Sequence, residues 1–323
     1  MSSEFNLIKK YFTHPTSHTR LGVGDDAALV KVRDGHVMAI SVDLLIQGQH
    51  FFPDAEPGSL GYKSLAVNLS DMAAMGARPR WATLALSLPH VDEVWLKAFS
   101  RGFMQLARHH GVDLIGGDTT RGPLSICVQI MGEVLLGKAL RRSGAKVLDD
   151  IWVSGFVGDA ALAVAAKKKK LTLTPTQWSS CEKRLDRPTP RVSLGLALQS
   201  IAHSAIDVSD GLVGDLQHIC EASGLAAVVE LECLPQSSAM RCWSGKALGL
   251  QALLSGGDDY ELCFTAPVSR RAAVRRVGQK EKVPLTRIGR MISPPLGVCA
   301  VAVTDKEGIP IALKRRGFDH FDH

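Results

Sequence analysis

"LGVGDDAAL", residues 21–29, decides between two folds. Gly22, Gly24 and Ala27 spell G-x-G-x-x-A, close to the fingerprint with which a doubly wound sheet cradles a dinucleotide pyrophosphate. Asp25 and Asp26 lie inside that pattern. Two carboxylates there would repel a pyrophosphate, so the stretch reads better as a turn that needs negative charge.

The flanking segments also argue against a doubly wound sheet. "HVMAISVD" (36–43) is short, apolar and β-branched, which predicts a strand ending at Asp43. "GSLGYKSLAVNLSDMAAMG" (58–76) has helical spacing, with Leu65, Leu69 and Met72 on one face and Ser64, Asn68 and Asp71 on the next. "ATLALSLP" (82–89) and "LSICVQIMGEV" (124–134) read as strands. "DEVWLKAFSRGFMQLARHHG" (92–111) reads as a helix that places Trp95, Phe99, Phe103 and Leu106 together. Asp92 is its expected N-cap and Gly111 its expected stop.

A polar, glycine-punctuated stretch at 137–150 predicts a boundary, dividing the chain into domains 1–140 and 141–323. Beyond it, "IWVSGFVG" (151–158), "AAVVELE" (226–232) and "ELCFTA" (261–266) read as strands, and "DVSDGLVGDLQHICEASG" (207–224) as one helix. Residues 167–192 resist assignment. Both halves mix strands and helices without regular βαβα alternation.

The chain has 323 residues, 46% hydrophobic and 22% charged, which suits globular domains and not disorder. A net charge of +6 permits an anionic partner. No basic stripe interleaved with aromatics supports nucleic acid, and Lys167–Lys170 reads as a solvated helix end. Seven cysteines without a C-x-x-C pair predict reduced thiols in a cytoplasm. "MSSEFNLIKKYF" at the start lacks the apolar run of a signal peptide, and no stretch is long and apolar enough to span a bilayer.

Chemistry concentrates in acidic clusters: "GDDA" (24–27), "SVD" (41–43), "NLSD" (68–71), "GGDT" (116–119), "DVSD" (207–210) and "GGDDYE" (256–261). Each alone is an ordinary turn. Asp71, on a helix, is either a ligand or part of a solvated face. Together the clusters offer hard oxygen ligands of the kind Mg²⁺ takes alongside substrate phosphates. A P-loop, a nucleophile elbow, H-E-x-x-H and the kinase H-R-D and D-F-G motifs are all missing. His109 and His110 read as surface residues, and the terminal "HFDH" as at most an adventitious metal site.

In this order and spacing, "GVGDDAAL", "SVDLLIQGQHF", "AVNLSDMAAMGA", "LIGGDTTRGPLS", "RRSGAK", "AIDVSDGL" and "LSGGDDYELCF" resemble the thiamine-monophosphate kinase family. That family lies in the superfamily of aminoimidazole ribonucleotide and selenophosphate synthetases. The resemblance runs from about residue 4 to "GFDHF" at 317–321. It implies a two-domain α+β fold whose N-terminal domain carries ATP, Mg²⁺ and a dimer interface with a barrel-like core. It also implies transfer of a phosphoryl group from ATP to thiamine phosphate, giving thiamine diphosphate.

Carried over position by position, the magnesium ligands fall on Asp26, Ser41, Val42, Asp43, Asp71, Asp118, Asp207 and Asp210. Nucleotide contacts fall on Gly117, Asp118, Arg142 and Ser209. Separately from the family pattern, Arg121 or Lys146 is a further candidate to steady the ATP phosphates beside Arg142. Acceptor contacts fall on His50, Asp258 and Phe318. Two positions depart from the family pattern. Val42 stands where the family has a threonine, which leaves only a backbone carbonyl as ligand. Asp258 stands where the family often has the longer glutamate.

No catalytic histidine or nucleophilic serine is expected. Rival readings are another ATP-using enzyme of the superfamily and a regulator that binds nucleotide and metal without turnover. A selenophosphate synthetase would need an early cysteine, and none precedes Cys127.

Overall fold

The computed structural model describes residues 4–313 together with 317 and 318. The terminal "HFDH" therefore lies outside the described residues. The chain divides into two units, the first comprising residues up to 72 and 77–137, the second 73–76 and everything from 138 on.

The first unit opens with α1 (Glu4–Leu7) and a π-helical turn at Ile8–Phe12. A small ribbon, β1 (Thr19–Leu21) with β2 (Leu29–Val30), holds the acidic turn between its strands. Then follow β3 (His36–Ile46), α2 (Pro57–Ala74), β4 (Arg78–Leu88), α3 (Glu93–His110), β5 (Asp113–Arg121) and β6 (Ser125–Leu135). The sheet order is β3-β6-β4-β5, with β4 and β5 parallel and the other pairs antiparallel. β3 runs on past Asp43 to Ile46, because antiparallel pairing with β6 continues to Ser125.

α3 is built as its sequence predicts. Asp92 accepts hydrogen bonds from the Val94 and Trp95 N–H groups, and Gly111 closes the helix in the left-handed region (φ 63°). Phe99, Phe103 and Leu106 are buried, and the Trp95 and Phe99 rings stack 4.9 Å apart. His109 and His110 meet edge to face. Burial, reinforced by His109, pushes the His110 pKa down to about 4, so that ring stays neutral at pH 7. α2 packs against α3 at glycine notches. A Cβ on Gly61 would stand 2.1 Å from the Phe99 carbonyl oxygen, and one on Gly102 1.8 Å from that of Gly58. This close crossing buries α2 on nearly every side, so Ser64 and Asn68 lie on an interior face and not a solvated one.

The second unit contains β7 (Asp150–Ser154), α4 (Asp159–Lys167), α5 (Pro175–Asp186), α6 (Val192–Leu198), β8 (Ser204–Val208) and α7 (Leu212–Ser223). It continues with β9 (Ala226–Glu230), α8 (Ser238–Arg241), α9 (Ala247–Ser255), β10 (Glu261–Ala266), α10 (Arg271–Glu281), β11 (Leu285–Ile292) and β12 (Val301–Thr304). The sheet order is β12-β9-β11-β7-β10-β8, antiparallel except for β12 with β9. β7, β8 and β10 are buried on both faces.

Two sequence expectations are corrected here. The strand expected at 151–158 stops at Ser154, because Gly155 turns into the left-handed region (φ 59°) against the Glu261 carboxylate. The helix expected over 207–224 begins only at Leu212; "DV" ends β8 and "SDG" turns the corner at Gly211 (φ 125°). Leu212, Leu216 and Ile219 do point inward, and Gly224 ends the helix. The unassigned segment becomes α5, started by Thr174 in a capping box with Gln177. Among the described residues, no helix is long and apolar enough to cross a membrane. Mixed sheets and helices in both units make the class α+β.

Candidate functional site

In the first unit, strand alternation sorts the "SVD" residues. Ser41 and Asp43 face the helix-covered side, and Val42 faces away. The Ser41 hydroxyl donates to the Asp71 carboxylate at 2.5 Å, joining "SVD" on β3 to "NLSD" on α2. Asp43 also acts on its surroundings: after burial, its charge is the second cause of the raised Cys127 pKa. One turn before Asp71, the Asn68 side chain is buried and donates to the Ser64 carbonyl, while its Oδ1 has no partner. The Val42 side chain is displaced from this group, which leaves its backbone as its only link to it.

Asp118 sits elsewhere. Its register partner is Ala85, and Ala85 pairs with Cys127, the partner of Leu44. Paired residues share a sheet face, so Asp118 lies on the open face with Val42 and Leu44. Gly117 beside it (φ 146°) is required by packing: a Cβ would stand 1.8 Å from the Leu84 carbonyl oxygen. Asp26 is exposed in the β1–β2 turn, where Asp25 accepts from its N–H. His50 is tied locally, since its Nδ1 accepts the Ile46 N–H at 3.0 Å and leaves Nε2 as the donor.

The second unit gathers a tighter group around "DVSD". Asp215 was not singled out by sequence, yet its Oδ2 accepts the N–H groups of Ser209, Asp210 and Gly211 at 3.0, 3.1 and 3.1 Å. It thereby shapes the turn that carries Asp207 and Asp210. Burial, then the charges of Asp207 and Asp210, hold the Asp215 pKa well above the usual carboxylate range against those hydrogen bonds. Three acidic groups thus share one field at the N-terminus of α7.

The "GGDDYE" loop closes against the same turn. Asp258 N–H donates to the Ser209 carbonyl and Tyr260 N–H to that of Val208, both at 2.8 Å. Gly257 permits this approach, for a Cβ there would meet the Ser209 oxygen at 2.5 Å. Phe318 N–H donates to the Asp210 carbonyl at 2.9 Å, which brings its exposed ring to the site. Ser209, Asp210, Asp258 and Phe318 are therefore together. Arg142 is exposed: its carbonyl accepts from Ser223 Oγ, and among the described residues its guanidinium forms no ion pair.

Beneath the loop lies a buried charge network. Arg191 grips Glu261 with Nε at 2.6 Å and Nη2 at 2.5 Å, Ser154 Oγ donates to Glu261 at 2.5 Å, and Arg184 adds a longer contact at 3.4 Å. Asp259 accepts the Gly158 N–H on both oxygens, and burial holds its pKa well above the usual range.

The donor set suits a hard cation. Every candidate ligand offers oxygen, and the Asp207–Asp210–Asp215 field calls for positive charge. Among the described residues, no three carboxylate, imidazole or thiol groups are gathered closely enough to chelate one ion alone. Mg²⁺ accepts this arrangement, since it takes one or two carboxylates and fills its octahedron with water and phosphate.

Residues 24–134 match the family model for the N-terminal domain of AIR synthase related proteins, and 149–300 match its C-terminal counterpart. The chain is 46% identical over 322 residues to thiamine-monophosphate kinase of Salmonella typhimurium, covering 98% of each. The crystal structure of thiamine-monophosphate kinase from Stenotrophomonas maltophilia K279a superposes with a TM-score of 0.83 at 48% identity, over 88% of this chain and 91% of that one. AaThiL complexed with AMPPCP and TMP superposes with a TM-score of 0.78 at 28% identity, over 93% and 92%. On its sequence and its fold alike, the chain belongs to the thiamine-monophosphate kinase family.

Proposed function

We propose that this protein transfers the terminal phosphoryl group of ATP to thiamine phosphate, forming thiamine diphosphate and ADP. The observation that carries the reading is the acidic turn at the start of α7, where Asp215 accepts the Ser209, Asp210 and Gly211 N–H groups beside Asp207 and Asp210, and burial first, then those two charges, raise its pKa. Such repulsion is relieved by a cation that also binds phosphate. The family relationship and the AMPPCP and TMP complex of a relative support ATP and thiamine phosphate as the substrates.

In the first unit the helix-covered group of Ser41, Asp43 and Asp71, with the Val42 carbonyl, would hold Mg²⁺, and Asp26 in the β1–β2 turn and Asp118 on the open face are assigned to it by the family pattern alone. In the second Mg²⁺ would be held by Asp207 and Asp210. When bound, Mg²⁺ supplies charge neutralisation between phosphates and a template for in-line transfer. The residues do the rest. Asp215 orients the 209–211 turn through three N–H groups, and Ser41 fixes the Asp71 carboxylate. Gly117, Asp118, Arg142 and Ser209 are assigned to the nucleotide, with Arg142 free to swing onto phosphate oxygens. His50, Asp258 and Phe318 are assigned to the acceptor, Phe318 offering a flat face to a cationic ring. The acceptor phosphate has a second pKa of about 6 and is largely dianionic at neutral pH, so no general base is required.

The open face of the first sheet supports a homodimer. Ile40, Val42 and Leu44 on β3 are 58, 59 and 50% exposed, an apolar row that a second copy would cover. All seven cysteines are free thiols, which supports a cytoplasmic setting.

Asp71→Asn and Asp210→Asn test the reading. Each is expected to reduce turnover at least about a hundredfold with the melting temperature retained. Losses under about threefold in both would overturn the assignment of these carboxylates.

A further inference from the structure

Asp258 and Tyr260 are the only non-glycine residues among the described ones between positions 170 and 281 whose φ is positive, at 71° and 50°. A tyrosine in the left-handed region costs on the order of 1 kcal/mol or more and persists only where its surroundings impose it. Here they do. The backbone is pinned at Asp258 N–H and Tyr260 N–H to β8 and its turn, and the carboxylates of Asp259 and Glu261 are locked by Gly158 and Arg191. In this conformation Tyr260 Oη donates to Asp258 Oδ1 at 3.0 Å.

We propose that Tyr260 is a positioning residue that fixes the Asp258 carboxylate for the cationic ring system of the acceptor, and so sets the affinity for thiamine phosphate. The proposal rests on the reading of Asp258 as an acceptor contact. An aspartate carries its carboxylate on a single methylene, so its reach is small and its orientation decisive. A phenol donating to a carboxylate is a charge-assisted bond that sets the plane of the group while using one of about four acceptor sites. Through this bond Tyr260 acts on Asp258. Its hydroxyl is not one of the anchors that hold the loop backbone, so removing it spares the fold.

The test is a double-mutant cycle on binding. Thiamine phosphate is titrated calorimetrically into wild type, Tyr260→Phe, Asp258→Asn and the double variant, with Mg²⁺ and a non-hydrolysable ATP analogue present. Tyr260→Phe is expected to weaken thiamine phosphate about tenfold, to leave the affinity for the ATP analogue and the melting temperature unchanged, and to add nothing in the Asp258→Asn background. If Asp258→Asn itself binds like wild type, the reading of Asp258 fails and this proposal with it. If Asp258→Asn weakens binding but the effect of Tyr260→Phe is absent, is additive, or extends equally to the ATP analogue, the positioning role alone is overturned.

Discussion

Glu133 shows how a single side chain holds the first unit together. It is buried on β6 and accepts Arg33 N–H at 2.9 Å, Arg33 Nε at 2.7 Å and Arg80 Nε at 3.0 Å. Burial alone would raise its pKa, but these donors win and hold it below 4.5. Because the folded-state pKa lies below the unfolded one, the stability it contributes is present above pH 4.5 and is lost as pH falls through the folded value. Glu133→Gln is expected to cost about 2–3 kcal/mol at pH 7, with the gap to wild type closing in acid. Denaturant melts across pH 3–7 measure this, and a pH-independent gap would contradict it. Gly117→Ala drives a Cβ to within 1.8 Å of the Leu84 oxygen and is expected to cost about 3 kcal/mol or more. A melting temperature equal to wild type would refute that packing. At this scale sequence was a partial guide. The carboxylates Asp71, Asp210 and Asp258 were visible as residue types beside Gly, Ser or Asn. Asp215 was not, because its role is set by three N–H groups from a turn that only the fold brings to it.

Helix α3 was legible from end to end, since cap, apolar stripe and stop are local signals that agree. Asp92→Ala removes the cap that serves Val94 and Trp95 and is expected to cost about 1 kcal/mol. Chemical denaturation followed by circular dichroism checks it; no change would mean the cap is redundant. The segment 207–224 was misread for a physical reason. Val208 continues the helical spacing of Leu212 and Leu216 backwards, and the strand-to-helix corner at Gly211 depends on a backbone angle of 125° that composition does not encode. The polar face of α2 was left open between a ligand set and a solvated face, because the glycine notches that draw α3 onto it are tertiary.

For the whole molecule, α+β character followed from the mixture of segments in both halves, while sheet order did not. β6 inserts between β3 and β4, and β7 between β11 and β10, through long-range pairings without a local signal. The apolar row on β3 carries the molecular-scale prediction. Val42→Lys leaves the unit's interior untouched, since that side chain is exposed, and is expected to convert a dimer into a monomer by light scattering. A dimer of unchanged stability would place the interface elsewhere. The central claim concerns phosphoryl transfer to a phosphate acceptor. Its most direct measurement is chromatographic: purified protein with ATP and thiamine phosphate, with Mg²⁺ or with EDTA, and with free thiamine in place of the phosphate. Thiamine diphosphate formed only from the monophosphate and only with Mg²⁺ is the predicted result. Nucleotide binding without any thiamine diphosphate would contradict the account.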